Sequence, residues 1–519
     1  MSRPPRRAGG VPGYVEAPTE DHSPLLTSVS ERNLLSGSAM MRPTPSITAS
    51  LCGIWLLAAP SARIVIAAEQ TPAAPASQPS AQRPHNPAQE VAREQPEGNA
   101  LDVGPAKLRI GGYVGVTGIY RSTNSGGGPG TAFATTPYEN TLQGNVSETR
   151  LSAQASRLSL RVDAPFPEAR FRTLSGYFEM DFVGATPGNI AITATSAGLR
   201  LRQAFADVQY GESFSLAVGQ AFSLMTPAKR QLSVWPSDYE ISQAVDLNYV
   251  AGLVWERVPQ LRVTWRPSSK FHWAVSVENP EQQIGSGLVA LPACCDDDIA
   301  AQYNTGDEAL SVPNLMPDFA TRVAFNPSSV IHVDVGGVVR VFRHAIAPYD
   351  EMFRAVGGGA SVNATITPQS GTRVIGQFAS GSGLGRYLGG LAPDAAFDTT
   401  GDINPIPATA WVAGVEQVVS PRISMAGYYS GVRTDETWVA ETDLRNIGFG
   451  FPGASNAANK TIDEITATVS YLAVRTDNRG SAQVNFQTSW LQREPWQQGS
   501  GPASAGAFLF FAQVRYNLP

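Results

Sequence analysis

Polar and apolar residues alternate along the segment Leu174–Phe182. The even positions are apolar or glycine, and the odd positions between them carry Ser175, Tyr177, Glu179 and Asp181. Successive side chains of a strand point to opposite faces, so this segment predicts a strand with one apolar and one polar face. Such a strand suits a sandwich, whose apolar face meets a core, or a membrane barrel, whose apolar face meets lipid.

Segments of the same type recur from Lys107 to the C-terminus, and we count about 16 of them. The connections between them alternate in length, with short turns such as Pro267–Lys270 followed by long loops such as Pro280–Asp318. Outer-membrane barrels have short periplasmic turns and long outer loops, whereas a sandwich has no reason for this alternation. The last segment, Ala507–Leu518, can pair with the first and leave no open edge.

We therefore predict an all-β fold: a transmembrane antiparallel up-and-down β-barrel of about 16 strands over residues 105–519. A disordered N-terminal segment is expected to precede it. The pattern is ambiguous in Leu199–Tyr210, where Arg200 and Arg202 could face either side. We place both inward, because an arginine facing mid-bilayer lipid costs roughly 2–4 kcal/mol.

Composition narrows the class of protein. Charged residues make up only 16% of the chain, yet no apolar run of about 20 residues follows residue 70, which argues against membrane-spanning helices. The formal net charge is -6 and there is no basic block, so no nucleic-acid partner is expected. Three cysteines are too few for a disulfide framework or a structural zinc site, and we predict no metal and no cofactor.

The N-terminal region resembles a targeting segment that begins late. Residues 1–39 are polar and are predicted to be disordered or to precede the true start. Residues 40–68 have the order of a signal peptide, with Arg42 after two methionines, an apolar run and then small residues. The alternative is a single membrane anchor, although Pro60 and Arg63 cut the run short of a spanning length. Residues 69–104 are rich in proline and alanine and predict a flexible periplasmic linker.

The strand register predicts which charged side chains line the lumen. Basic groups outnumber acidic ones in this inward set, which consists of Arg109, Arg157, Arg161, Arg262, Arg266, Arg322, Arg340 and Arg373 against Glu179, Asp181, Glu278, Asp334 and Glu416. Guanidinium groups facing a water column favour anions and can bind carboxylates with two hydrogen bonds. The alternative is a lumen wall of mutually neutralising ion pairs with no selectivity.

A constriction is expected where charges from neighbouring strands converge. The pore-lining candidates are Arg157, Arg161, Glu179, Asp181, Arg200, Arg202, Arg262 and Arg340. Five of them are favoured as the constriction because they belong to the adjacent strands two to four, namely Arg157, Arg161, Glu179, Asp181 and Arg202. Residues 220–239 are the candidate for a loop that folds into the lumen.

Six segments, taken in order, resemble the strand motifs of DcaP-like outer-membrane porins. They are Leu108–Val114, Tyr177–Gly184, Leu199–Phe205, Ala217–Gln220, Val277–Glu281 and Gly383–Leu388. The resemblance implies a 16-stranded trimeric barrel that passes small, often anionic, solutes such as dicarboxylates. Two departures are the proline-broken linker, where the family often has a coiled coil, and the ending Asn-Leu-Pro in place of a terminal aromatic residue.

The predicted function is a passive porin of the cell outer membrane, in contact with lipid and lipopolysaccharide. One alternative is an outer-membrane lipid hydrolase, since His332 and Asp334 lie two apart on one strand face. Another is a structural barrel plugged by its own loops. Cys294 and Cys295 precede three aspartates in a predicted outer loop, where they could form a vicinal disulfide beside a weak divalent-cation site; a solvated acidic loop is the simpler interpretation.

Overall fold

The computed structural model describes residues 100–125, 128–166, 170–185, 197–305, 314, 316–349, 351–476, 479–496 and 502–519. The predicted disordered segment, the signal peptide and nearly all of the linker lie outside these residues. Among the described residues, no helix is long and apolar enough to cross a membrane.

The regular secondary structure of the described chain consists mainly of antiparallel strands. Labelled in chain order, they are β1 (Leu101–Val103), β2 (Ala106–Arg121), β3 (Glu148–Ser152), β4 (Arg157–Pro165), β5 (Phe171–Asp181), β6 (Arg200–Tyr210), β7 (Phe214–Phe222), β8 (Arg257–Trp265), β9 (Phe271–Glu278), β10 (Asp318–Phe325), β11 (Ile331–Ile346), β12 (Glu351–Gln369), β13 (Thr372–Ser382), β14 (Ala395–Phe397), β15 (Ile403–Pro405), β16 (Pro407–Ser420), β17 (Ile423–Thr434), β18 (Thr437–Thr442), β19 (Arg445–Phe449), β20 (Asn459–Thr476), β21 (Gly480–Pro495) and β22 (Ala505–Asn517). Two pairs, β14 with β15 and β18 with β19, are hairpins outside the main sheet, and β1 and β3 are short strands against β2.

The other strands form a closed 16-strand barrel, as the sequence predicted. The last strand pairs with the first long one, from Tyr113 opposite Asn517 to Arg121 opposite Leu509. Closure satisfies the backbone groups of every barrel strand within the protein, which a sheet with open edges in lipid cannot do. The alternating terminal segment therefore has the role expected of it.

The outer face of the barrel is apolar. Trp273 is 44% exposed and its neighbours along β9 are similarly open, whereas the alternate residues His272 and Ser276 are buried. Aromatic side chains cluster at the short-turn ends of neighbouring strands, namely Phe171, Tyr210, Phe214, Trp265, Phe271 and Phe325. An apolar belt with an aromatic girdle is the surface of a barrel in the outer membrane, and it excludes the sandwich.

The loops at the far end form an ordered cap over one side of the barrel mouth. Buried apolar side chains from the loops after β9, β13 and β17 pack together, among them Ile299, Phe397 and Phe449. The helix Asp296–Ala300 belongs to this cap and is tied to the β11–β12 turn by Asp298, which accepts hydrogen bonds from Ala347 N and Tyr349 Oη. The cap therefore restricts entry from the side of β9 to β17.

A β-bulge in β6 explains the ambiguous pattern of that strand. Glu179 on β5 lies opposite Gln203, but the next residue, Met180, lies opposite Leu201, so Arg202 is the extra residue. Arg202 and Gln203 are both buried within the lumen, and the alternation changes phase between them. Both arginines of this strand face inward, as the sequence analysis placed them.

Candidate pore constriction

The loop that joins β7 to β8, residues 223–256, runs through the lumen. The sequence analysis predicted an inward loop over residues 220–239, so the position is right but the loop is longer. Glu278 accepts hydrogen bonds from Ser223 Oγ at 2.7 Å and Leu224 N at 2.8 Å, and Arg322 donates to Leu224 O at 2.7 Å. These bonds hold the start of the loop against β9 and β10.

The rest of the inward loop is pinned along the wall from β12 to β21. Arg373 bridges Glu240 of the loop, at 2.7 Å, and Glu416 of the wall, at 2.6 Å. Gln487 accepts from Asp246 N at 3.0 Å, and Glu464 accepts from Ala251 N at 2.8 Å. The loop thus fills the side of the lumen that lies beneath the cap.

The unfilled side keeps a cavity of about 160 Å³. The residues around this cavity belong partly to the barrel wall and partly to the inward loop. They are Tyr113, Arg157, Glu179, Arg202, Gln203, Phe222, Pro236, Ile241, Ser242, Gln243, Ala244, Val245, Asp246, Leu247, Tyr249, Ser470, Asn485, Gln513 and Arg515. We call this set the aperture ring. The ring residues that belong to barrel strands include three arginines, Arg157, Arg202 and Arg515. The ring residues that belong to the inward loop include one carboxylate, Asp246.

Arg202 closes one corner of the aperture ring. Its guanidinium donates to Glu179 Oε1 at 2.6 Å and to Asp181 Oδ2 at 3.0 Å, and it reaches the hydroxyl of Tyr249 at 3.4 Å. The two carboxylates hold the arginine extended, and Tyr249 joins the loop tip to the β6 wall. Each of the three guanidinium nitrogens of Arg202 therefore donates a hydrogen bond, and these bonds fix the position of its side chain.

Arg157 and Arg515 form the more open part of the ring. Both guanidiniums lie over the ring of Tyr113, at 5.7 Å and 5.0 Å from its centroid. Arg157 lies 3.6 Å from Glu179, a loose ion pair, and its side chain is 23% exposed. Arg515 donates to Gln483, a neutral partner, at 2.7 Å. Arg157 keeps hydrogen-bonding capacity for a passing solute, because its Nε has no hydrogen-bond partner among the described residues.

The charges of the aperture ring sum to an excess of cations. Arg157, Arg202 and Arg515 face Glu179 and Asp246. Burial alone would raise the pKa of Tyr249, but Arg202, Arg257 and Arg157 outweigh burial and hold that pKa below its usual value of 10. Burial raises the pKa of Asp246 above the usual aspartate value, against the opposing amide of Asn248. The lowered pKa of Tyr249 indicates nearby positive charge, and the raised pKa of Asp246 indicates poor hydration.

Of the predicted pore-lining residues, Arg157, Glu179 and Arg202 lie in the ring. Asp181 and Arg200 pair with each other at 2.7 Å on the outer-loop side. Arg161 lies on the periplasmic side, 4.1 Å from the ring of Trp235. Together with the aperture, these residues form a line of arginines along the unfilled wall.

Arg262 and Arg340 face the lumen but do not line the aperture, contrary to the sequence analysis. Arg262 is 1% exposed and donates to Phe222 O and Tyr239 Oη, at 2.6 and 3.1 Å. Arg340 is 1% exposed and binds Asp318 at 3.0 Å and Asp394 at 2.7 Å. Inserted loops cover both arginines. The alternation along a strand predicts which face a residue lies on, but it does not predict contacts with loops.

Several ring residues were not selected from the sequence. Tyr113, Gln513 and Arg515 occupy the polar positions of β2 and β22, so the alternation already placed them inward and only their meeting point was unknown. The loop residues Asp246 and Tyr249 had no such signal, because loop conformation follows no period. Tyr249 adopts a positive φ of 62°, which a sequence pattern does not indicate for tyrosine.

The other residues that the sequence analysis considered for chemistry, the cysteine pair and His332, make contacts that indicate structural roles. Cys294 and Cys295 form a vicinal disulfide in the cap. The part of the chain that the structure describes contains no group of three or more histidine, cysteine or acidic residues placed to hold a metal. His332 is 1% exposed and uses both ring nitrogens, one with Asn326 at 2.8 Å and one with Asp334 at 2.9 Å. Asp334 in turn binds Arg322, which holds the inward loop.

The structure is similar to solved outer-membrane channels. The outer membrane channel DcaP of Acinetobacter baumannii matches with a TM-score of 0.59 at 14% identity, over 82% of this chain and 100% of that chain. OmpF of Salmonella typhi, in complex with daunomycin, and OmpT of Vibrio cholerae each match with a TM-score of 0.42 at 10% identity, over 81% of this chain and 100% of theirs. No family model and no curated protein matches the sequence. At these identities the likeness establishes the fold, and it agrees with the resemblance noted from the strand motifs.

Proposed function

We propose that this protein is a passive outer-membrane channel for small hydrophilic solutes, with a preference for anions such as carboxylates. The observation that carries the proposal is the aperture ring, in which the inward loop leaves a cavity on the side of the lumen that bears Arg157, Arg202 and Arg515. A solute crossing the barrel passes these guanidiniums, which attract anions and offer directed hydrogen bonds. The channel fold of the solved neighbours supports the coarser part of the proposal.

Passage does not require tight binding. Guanidiniums continue on both sides of the ring, with Arg200 towards the outer loops and Arg161 towards the periplasm. Each has an acidic partner, Asp181 or Asp163, which moderates its attraction for a solute. A series of moderate sites allows an anion to enter and to leave, as conduction requires.

Single-channel recording in planar bilayers under a potassium chloride gradient tests the proposal. We expect an anion-selective reversal potential, and Arg157→Gln should lower the chloride-to-potassium permeability ratio roughly tenfold at low salt, because losing one positive charge at about 6 Å in water disfavours chloride by about 0.7 kcal/mol and favours potassium by about the same amount. Arg433→Gln, on the outer face of β17, is the matched control and should leave the ratio unchanged. A cation-selective wild type would contradict the anion preference, and an absence of conductance steps would indicate a plugged barrel.

The hydrolase alternative has a separate readout. His332 is enclosed behind the inward loop and its ring nitrogens contact Asn326 and Asp334, so we assign it a role in holding that loop. We therefore expect the rate of lipid-ester hydrolysis to be the same in His332→Ala as in the wild type. Loss of a measurable wild-type turnover in this variant would favour the enzyme instead.

A further inference from the structure

Arg257 is an arginine at the edge of the aperture ring whose buried Nη1 has no hydrogen-bond partner among the described residues. It is the first residue of β8, at the outer-loop end of the barrel, and it lies opposite Phe222, which lines the cavity. Glu256 precedes it, but Glu256 Oε1 accepts from the backbone nitrogen of Arg257, at 2.9 Å. Arg202, in contrast, donates to two carboxylates. A charged group that is out of water and lacks a partner is costly, so Arg257 is suited to bind an anion from the lumen.

Aromatic rings surround the guanidinium of Arg257. The ring centroids of Trp255 and Phe222 lie 5.3 Å and 5.7 Å from Arg257 Cζ. The ring of Tyr249 is perpendicular to that of Trp255, with centroids 5.1 Å apart. Trp255 and Tyr249 are both partly exposed, and Tyr249 also lines the cavity. We call Tyr249, Trp255 and Arg257 the entrance cluster, because β8 begins at the outer-loop end of the barrel.

The entrance cluster offers two kinds of contact to a solute. A guanidinium binds a carboxylate through charge-assisted hydrogen bonds, and partly exposed aromatic rings bind a flat ring edge-to-face or offset. A small inorganic anion or an aliphatic acid uses only the first contact, and a neutral aromatic molecule uses only the second. The cluster therefore favours a solute that combines both groups.

We propose that the entrance cluster binds aromatic carboxylates, which are solutes that carry a carboxylate on a flat unsaturated ring. The carboxylate accepts hydrogen bonds from Arg257, and the ring packs against Trp255 and Tyr249. Arg202 reaches the hydroxyl of Tyr249 at 3.4 Å, so another guanidinium of the passage adjoins the cluster. The inference rests on the proposed channel function and names one class of solute for it.

Ligand-observed NMR titrations of the detergent-solubilised protein test the inference without requiring ion flow. The two ligands are benzoate and cyclohexanecarboxylate, which have the same charge and a similar size, but only benzoate has an aromatic ring. We expect benzoate to bind about fivefold more tightly, because contacts between aromatic rings add to the carboxylate contact that both ligands make. Equal affinities of the wild type for the two acids would overturn the inference.

Two variants separate the two contacts. Arg257→Gln should weaken benzoate binding about tenfold, and it should fold, because the buried Nη1 makes no hydrogen bond within the described residues. Trp255→Leu should lower the affinity for benzoate to that for cyclohexanecarboxylate and leave the latter unchanged. Unaltered benzoate binding in either variant would contradict the site.

The matched control is Arg433→Gln, which removes an outward arginine whose cross-strand neighbours are Thr409 and Thr461. It should bind both acids as the wild type does. A cation-selective reversal potential would contradict the proposed anion preference and leave the NMR comparison in place. An anion-selective channel that binds the two acids equally would contradict only the entrance cluster.

Discussion

Arginines in this lumen have two different roles, and the role depends on what covers them. Arg322 and Arg340 are 1% exposed and bind carboxylates and loop carbonyl groups, so they attach loops to the wall. Arg157 is partly exposed, and its nearest carboxylate, Glu179, is shared with Arg202. A buried pair is costly to break, because the remaining charge has no water around it, whereas a partly exposed arginine can exchange partners with a solute.

We expect Asp246 to make the ion selectivity of the proposed channel depend on pH. Because burial raises the pKa of this loop carboxyl above 3.8, it is neutral over a wider acidic range than an ordinary aspartate. Below its pKa the ring loses one negative charge, so anion selectivity should be higher in acid and should fall as pH rises through that pKa. Reversal potentials measured from pH 4 to pH 7 check this trend.

Asp246→Asn is the control for that titration, because it keeps the acceptor oxygen for Thr131 N and Asn248 N. The variant should show the acid-form selectivity throughout the range. Two charged residues of the barrel wall lie near Asp246, namely Glu464 of β20 and Arg121 of β2, and both are unchanged in the variant. A pH trend that persists in Asp246→Asn would assign the titration to Glu464 or another group.

At the scale of elements, the loop between β7 and β8 determines the size and the charge of the pore. It occupies the side of the lumen from β9 to β21 and leaves the β2 to β6 side open. The bulge in β6 belongs to the same arrangement, because Arg202 is its extra residue and reaches both Glu179 and Asp181. Loop and bulge together place cations on one side of a narrow passage.

Shortening this loop should widen the pore. Replacing residues 242–252 with a short glycine-serine linker removes the contacts with Gln487, Glu464 and Arg202, while the anchors at Glu278 and Arg373 remain. Conductance should rise at least about twofold, since the narrowest section limits the current, and anion preference should weaken as the arginines face more water. Single-channel recording measures both.

The matched control alters a loop away from the lumen. Leu444 is fully exposed at the tip of the β18–β19 hairpin, and substituting Asp443 and Leu444 with asparagine and glycine should leave conductance and selectivity as in the wild type. If the shortened inward loop has no effect on conductance, the current passes through a different route from the one proposed.

At the scale of the whole molecule, the barrel is closed by pairing residues nearly four hundred positions apart. Tyr120 lies opposite Phe510 across the closure, and the outward rings of Tyr120 and Phe508 are 6.4 Å apart. The apolar outer face then meets lipid, another copy of the chain, or both. A trimer, which the family resemblance implies, remains a proposal.

We predict that the protein extracted in mild detergent has three times the protomer mass, measured by native mass spectrometry or light scattering. In planar bilayers such a trimer should close in three equal steps at high voltage, because each barrel carries its own aperture. A single step, together with a monomer mass, would contradict the trimer.

The sequence alone determined the strands, their inward and outward faces, the closed barrel and the presence of an inward loop after β7. These follow from alternation and loop length, because each strand must present apolar groups to lipid and polar groups to water wherever it stands in the barrel. Only the tertiary structure decided which inward arginines stay in contact with water. That depends on where the loop of residues 223–256 lies and on the bulge at Arg202, and both result from contacts between distant segments that no local period encodes.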